Sequence, residues 1–220
     1  LNLECIYEKF DSVRAVPYDV PVPGYHNRTV NTLRLWKAEY TTEGIYSQLR
    51  YGDYRRALHY KDLTQQISRF LYPDDSTTEG RRLRLVQEYF LVSAGVQSIM
   101  RHYKDHHGDP AQFDKYIALH INDTHPALVI PELMRILMDE EGLSWEDAWR
   151  ITQNSVAYTN HTVMPEALEQ WPITMFKPLL PRIYLIIDEL NRRFLEAYRK
   201  RFPGREDKAQ SVAILWGGQV

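Results

Sequence analysis

The sequence predicts an α/β fold, a largely parallel sheet with helices on its faces. Two observations predict it. Two strand–polar turn–helix units follow one another, the first opening at residue 116 and the second at 155. Strands that alternate with helices are joined by crossovers and pair in parallel. The other long segments, 79–103 and 181–202, carry apolar residues at helical spacing.

Residues 13–25 interleave apolar residues with Pro17, Pro21 and Pro23, which suits an edge strand or extended ribbon and not a helix. Residues 30–36 alternate with period two and read as a strand. A helix is expected over 53–71, broken by the polar loop 72–78. The helix over 79–103 places Leu83, Val86, Phe90 and Val96 near one face, and Gly108-Asp109-Pro110 follows it as a loop. Residues 116–121 read as a strand, 122–125 as a polar turn, and a helix is expected from about Ala127. Pro126 and Pro131 fit at that helix start, because first-turn amides have no intrahelical partner. Ser144 with Asp147 resembles a capping box that opens a helix through Trp145, Ala148, Trp149 and Ile151. The second unit is a strand at 155–159, a polar turn at 160–162 and a helix from Pro165 to Leu168. A helix over 181–202 turns Ile183, Ile187, Leu190, Phe194 and Tyr198 inward and stops at Pro203-Gly204. The apolar run 211–216 reads as a buried strand. Such a strand needs neighbours and a covering layer, and together with the start at Leu1 this reads as a piece of a longer polypeptide.

Composition narrows the function classes. The chain of 220 residues is 44% hydrophobic, enough for one sizeable core or two small ones. A net charge of -2 gives no global basic field for nucleic acid or an acidic membrane. The short basic runs 81–84 and 199–201 have acidic neighbours and read as solvated helix faces. A single cysteine, Cys5, excludes an internal disulfide framework and fits a reducing compartment. No apolar run approaches a membrane span and no signal segment opens the chain, so a cytoplasmic location is expected.

In parallel α/β sheets, ligands bind beyond the carboxyl ends of the strands. The turns 122–125 and 160–162 fall at that edge, so their side chains are candidates for one pocket. Asp123, Thr124 and His125 either cap the following helix or face a ligand, and spacing alone leaves both readings open. His161 is either a ligand contact or a histidine satisfied within its turn. His102 and His106 have the i, i+4 spacing of a metal pair but no third ligand nearby in sequence. Asp74 and Asp75 in a loop are most simply solvated. There is no glycine-rich phosphate loop, no Gly-x-Ser-x-Gly elbow and no HExxH. Residue chemistry alone therefore reaches an α/β fold with a polar pocket suited to hydroxyl-rich ligands.

Longer motifs carry more. Pro17-Tyr-Asp-Val-Pro-Val-Pro-Gly-Tyr25, Val30-Asn-Thr-Leu-Arg-Leu-Trp36, Arg84-Leu-Val-Gln-Glu-Tyr-Phe90, Asn122-Asp-Thr-His-Pro126 with Ile130-Pro-Glu-Leu-Met-Arg135, and Tyr158-Thr-Asn-His-Thr162 with Pro165-Glu-Ala-Leu-Glu169 occur in one order over nearly the whole chain. Together they resemble the glycogen/maltodextrin (α-glucan) phosphorylases, bacterial members most of all.

The resemblance implies a Rossmann-like, GT-B type architecture with the active site between two domains. Residues 1–220 would be a single partial domain, the later part of the N-terminal one. It implies phosphorolysis of α-1,4-glucans by inorganic phosphate, releasing α-glucose 1-phosphate with retention. The cofactor is pyridoxal phosphate, held by a lysine of the C-terminal domain, and its phosphate serves as acid/base. The chain alone would then be inactive; the alternative is a free-standing, non-catalytic glucan-binding or scaffolding module. By resemblance, His161 contacts the reacting glucosyl unit, and its main-chain carbonyl faces the developing positive charge. Asp123, His125, Thr162 and Glu169 resemble residues lining the neighbouring sugar sites and the pocket beside the scissile bond. Arg84 resembles the arginine flanking that pocket. Asp75 resembles a loop aspartate that competes with an arginine of the other domain for the phosphate site. Helix 53–71 resembles the tower helix of a homodimer, with Tyr54, Leu58 and Ile67 as its apolar contacts. Two departures stand out: Thr77 replaces the aromatic residue that animal enzymes carry in the gate loop, and His102 follows Arg101 where those enzymes have two arginines. Both depart from the pattern on which regulation of the animal type rests.

Overall fold

The computed structural model describes residues 6–7, 10–50, 54–164 and 168–220. Cys5, Asp53 and residues 165–167, where a helix is expected to open, lie outside the described residues. The chain is mixed α/β and divides into two compact units, residues 5–94 and 95–220.

The first unit is built on an antiparallel ribbon of β1 (Val13–Pro23) and β2 (Val30–Tyr40), in unbroken register from Val13 opposite Tyr40 to Pro23 opposite Val30. The prolines of β1 all fall at odd positions, so their missing amides share one edge, and that edge can face away from β2 without interrupting the ladder. At the base of the ribbon Val13, Ala15, Trp36 and the buried Ala38 pack with Ile67, Val86 and Phe90. Towards the tip the same face carries the cross-strand pair Asp19–Arg34 at 2.7 Å. Two helices follow, α1 (Thr42–Arg50) and α2 (Tyr54–Arg69). Thr41 caps α1 by accepting from the Gly44 amide at 3.0 Å. On α2 the buried residues are Ala57, Tyr60, Thr64 and Ile67, a 3–4–3 spacing that defines one face. Tyr54 and Leu58 lie off that face and are exposed.

The loop before α3 (Thr78–His107) is pinned locally. Asp74 Oδ1 accepts from the Ser76 amide at 3.0 Å, and Thr77 Oγ1 accepts from the Gly80 amide at 3.0 Å, an N-cap for α3. A Cβ at position 80 would run into the Asp74 carbonyl, so glycine is required there. The boundary between the units falls within α3. Its buried positions include Leu85, Phe90, Val96, Met100 and Tyr103, while Leu83 and Val86 are only half-buried.

In the second unit Gly108, at φ +82°, ends α3, and Asp109 caps a 3₁₀ turn over Pro110–Lys115. β3 (Leu119–Asn122) then pairs in parallel with β4 (Val156–Thr159), Leu119 opposite Val156 and Asn122 opposite Thr159. Between them run α4 (Val129–Arg135), which continues as a π turn over Ile136–Glu140, and α5 (Trp145–Ser155). Ser144 caps α5 by accepting from the Asp147 amide, as expected. After β4 come α6 (Ile173–Leu179), α7 (Pro181–Arg201) and the short α8 (Glu206–Ala209). The core of this unit is Leu133, Met134, Leu137, Ile151, Phe176, Ile183 and Ile186, all fully or almost fully buried. No helix among the described residues is long and apolar enough to cross a membrane.

Four expectations are corrected. The described sheets are two separate pairs, one antiparallel and one parallel, rather than one largely parallel sheet. Residues 211–216 are not a buried strand: a 3₁₀ turn covers Gln210–Val212, and Ile214 and Trp216 are exposed. The amides of Ile214 and Leu215 donate instead to Asn191 Oδ1, and Gly217 and Gly218 turn the chain back at positive φ. On α7 the buried stripe runs through Ile183, Ile186, Ile187 and Leu190, while Phe194 is exposed. Ile67, expected at a dimer contact, is buried in the core of its own unit.

Candidate functional site

Parallel pairing of β3 and β4 brings their carboxyl ends side by side, and both polar turns begin there. The Asp123 amide donates to the Thr159 carbonyl at 2.8 Å, which carries the pairing one residue past the strands. Asp123 then adopts φ +60°, a left-handed conformation that aspartate tolerates better than most residues. The capping reading fails for this turn: the N-cap of α4 is Leu128, with no side-chain cap bond.

The Asp123 carboxylate joins the two turns. The Thr162 hydroxyl lies 2.7 Å from Oδ1 and 2.9 Å from Oδ2, and the Thr124 amide donates to Oδ1 at 2.9 Å. The Thr162 hydrogen bond holds the carboxyl below its ordinary value; burial opposes this, and the Thr124 amide, His125 and His161 add to the lowering. Thr124 in turn donates to Glu169 Oε2 at 3.4 Å. His161 is exposed, with Nε2 3.3 Å from Asn122 Oδ1. His125 is also exposed. Behind the turns His120 Nε2 bonds the Thr159 hydroxyl.

Of the residues singled out in the sequence, Asp123, His125, His161, Thr162 and Glu169 thus gather at one edge of the second unit. Arg84 and Asp75 belong to the first unit. Arg84 lies over the Tyr72 ring at 5.4 Å and 3.5 Å from Glu88; Asp75 is exposed. Asn122 and Asn160 lie in the same two turns, and the sequence gives neither of them an individual role. The signal for Asn160 was the spacing Asn-x-Thr: its Oδ1 accepts from the Thr162 amide at 2.9 Å and its Nδ2 donates to the Thr162 carbonyl at 3.0 Å. His106 Nδ1 faces the His102 carbonyl at 2.8 Å, a local helix contact. Among the described residues no group of three or more His, Cys, Asp or Glu side chains is placed to hold a metal. A shallow groove of about 250 Å³ in the same unit is lined by Met100, Arg101, Lys104, Ile136, Glu140 and Glu141, away from both polar turns.

Because the lowered Asp123 carboxyl favours the ionised form, it contributes stability above the unfolded-state pKa and loses it as pH falls through the folded value. Thr162→Val is expected to move the Asp123 pKa up towards an ordinary carboxylate and to shrink this acid-sensitive contribution. Carbon-detected NMR titration of the carboxyl checks it; an unmoved pKa would show that the Thr162 hydrogen bond is not the cause.

A family profile described as carbohydrate phosphorylase matches residues 2–220. The chain is 50% identical to the glycogen phosphorylase of Bacillus subtilis (strain 168) over 97% of its own length and 26% of that protein. It is 48% identical to the brain form of glycogen phosphorylase from Mus musculus, over 94% of the chain and 25% of that protein. Against the muscle form from Oryctolagus cuniculus it is 46% identical, over 94% of the chain and 26% of that protein. The chain spans about a quarter of the length of these relatives. Since the match runs through both polar turns and both units, the chain belongs to the carbohydrate phosphorylase family.

Proposed function

We propose that this chain is part of an α-1,4-glucan phosphorylase, which cleaves glycogen or maltodextrin with inorganic phosphate and releases α-glucose 1-phosphate with retained configuration. The observation that carries the reading is the meeting of the two polar turns at the carboxyl edge of the parallel pair, with Asp123 and Thr162 joined across it. Sugar hydroxyls both donate and accept, and this edge offers a carboxylate, imidazoles and a hydroxyl. The names of the relatives support the same reaction. In this reading His161 holds the reacting glucosyl unit, with its main-chain carbonyl towards the developing charge. Asp123, His125, Thr162 and Glu169 line the adjoining sugar pocket. Both units belong to one partial domain of a Rossmann-like, GT-B type architecture, and the enzyme works in the cytoplasm.

Pyridoxal phosphate would supply acid/base chemistry through its phosphate group. The described residues do not fit its attachment. A Schiff-base lysine requires an amine whose charge is disfavoured by its surroundings. Here Lys37 is exposed and stabilised as a cation by Glu39, Lys104 donates to both Glu141 oxygens at 2.7 Å, Lys61 and Lys177 lie over Tyr40 and Tyr184, and Lys115, Lys200 and Lys208 are exposed. No reaction step is therefore assigned to a lysine of this chain. The 220-residue chain alone is expected to give no glucose 1-phosphate from maltodextrin and phosphate and no borohydride-stable adduct with pyridoxal phosphate. The complete polypeptide is expected to give glucose 1-phosphate. Glucan binding by the complete polypeptide without phosphorolysis would replace this reading with that of a binding module.

The complete enzyme is proposed to be a homodimer that uses α2. The exposed Tyr54 and Leu58, on a helix otherwise rich in charge, support this. Leu58→Asp places a charge in the contact without touching the buried face of α2, and it is expected to shift the dimer towards monomer in analytical ultracentrifugation. An unchanged dimer would remove α2 from the interface.

A further inference from the structure

We infer that Asn160 is a positioning residue that aims the main-chain carbonyl of His161. The inference rests on the phosphorylase reading for the use of that carbonyl, but its geometry is independent of it. Asn160 grips the main chain of Thr162 at both polar atoms, accepting from N–H at 2.9 Å and donating to C=O at 3.0 Å. The Thr162 N–H and the His161 C=O belong to one peptide unit. That unit is planar and trans, so the two bonds point in opposite directions. Holding the Thr162 N–H against the Asn160 side chain therefore turns the His161 carbonyl away from that side chain. The same grip sets where the Thr162 hydroxyl stands, and that hydroxyl bonds Asp123. One exposed amide thus determines the direction of a dipole on one side of the site and the placement of a carboxylate on the other.

A carbonyl dipole fixed before the reaction stabilises positive charge at a sugar carbon without reorganising, which lowers the barrier more than it strengthens substrate binding. Asn160 is exposed, so its truncation leaves the core intact. In the complete enzyme Asn160→Ala is expected to lower kcat by on the order of 10²-fold, the scale of a misplaced group, with KM for the glucan little changed. Hydrogen exchange resolved at the Thr162 amide should accelerate in the same variant. Asn160→Asp keeps the acceptor for that amide but loses the donor to the Thr162 carbonyl, so it is expected to restore much of the amide's protection and only part of kcat. A wild-type kcat in Asn160→Ala despite a released Thr162 amide would overturn the inference. So would an amide whose exchange does not change in Asn160→Ala, or one that exchanges as fast in Asn160→Asp as in the alanine variant. A wild-type enzyme without phosphorolysis would overturn the functional reading instead, and the exchange data would still decide whether Asn160 holds the turn.

Discussion

His161→Ala in the complete enzyme removes the imidazole and keeps the main-chain carbonyl; if the ring holds the glucosyl unit mainly as charge develops, kcat is expected to fall by on the order of 10²–10³-fold. The imidazole is exposed and its Nε2 is 3.3 Å from Asn122 Oδ1, so losing it removes no core packing and leaves the ribbon and helices unaffected. The contact with Asn122 favours one orientation of the ring before substrate arrives, and preorganisation of that kind lets a polar group act on the transition state more than on the ground state. Steady-state kinetics separate the two cases. A fall in kcat and kcat/KM together supports a role at the transition state, whereas a rise in KM alone would mean that the group binds ground state and transition state equally.

The second large effect is expected in the core of the second unit. Glu132 is fully buried in α4, and Arg135 holds both of its oxygens, at 2.8 Å and 2.9 Å, while reaching Glu140 at 2.8 Å across the π turn. Arg135→Leu would take both guanidinium bonds away from a buried carboxylate, a loss of about 3–5 kcal/mol. Replacing Glu132 and Arg135 together by apolar residues removes the stranded charge, and most of that loss should return. Urea unfolding of the two variants checks the contrast, and equal destabilisation would show that packing rather than charge dominates. The pair Arg192–Glu189 is a useful reference: with the arginine side chain 53% accessible, its removal should cost far less than loss of the buried pair.

Local physics was legible where a single residue decides the outcome. The Ser144 cap, the proline-tolerant edge of β1 and the stop at Gly204 each follow from one side chain or its absence. The parallel pairing of β3 and β4 was legible from the alternation of elements, and with it the convergence of both polar turns. What stayed hidden depended on partners distant in sequence. Nothing in the run 211–216 announces that Asn191 will take two of its amides, so its apolar composition reads as a strand. The exposed half of the ribbon, with Tyr18, Val20, Leu33 and Leu35 on one face, shows the same difficulty: alternation gives the faces but not which one is covered. Asn160 escaped notice because its contribution passes through the main chain of another residue, whereas the types of side chain suggest only direct contacts.

The left-handed backbone at Asp123 has a consequence for which amino acids the position can hold. Glycine and asparagine adopt that conformation at low cost, and aspartate nearly as readily, whereas β-branched residues adopt it poorly. Glycine supplies no acceptor for the Thr162 hydroxyl, and asparagine supplies one oxygen and no negative charge. A saturation library at this codon, sorted first for soluble expression, should retain aspartate, asparagine and glycine. Sorted again for turnover of glucan, it should collapse to aspartate, because the backbone admits a few residues and the carboxylate narrows them to one.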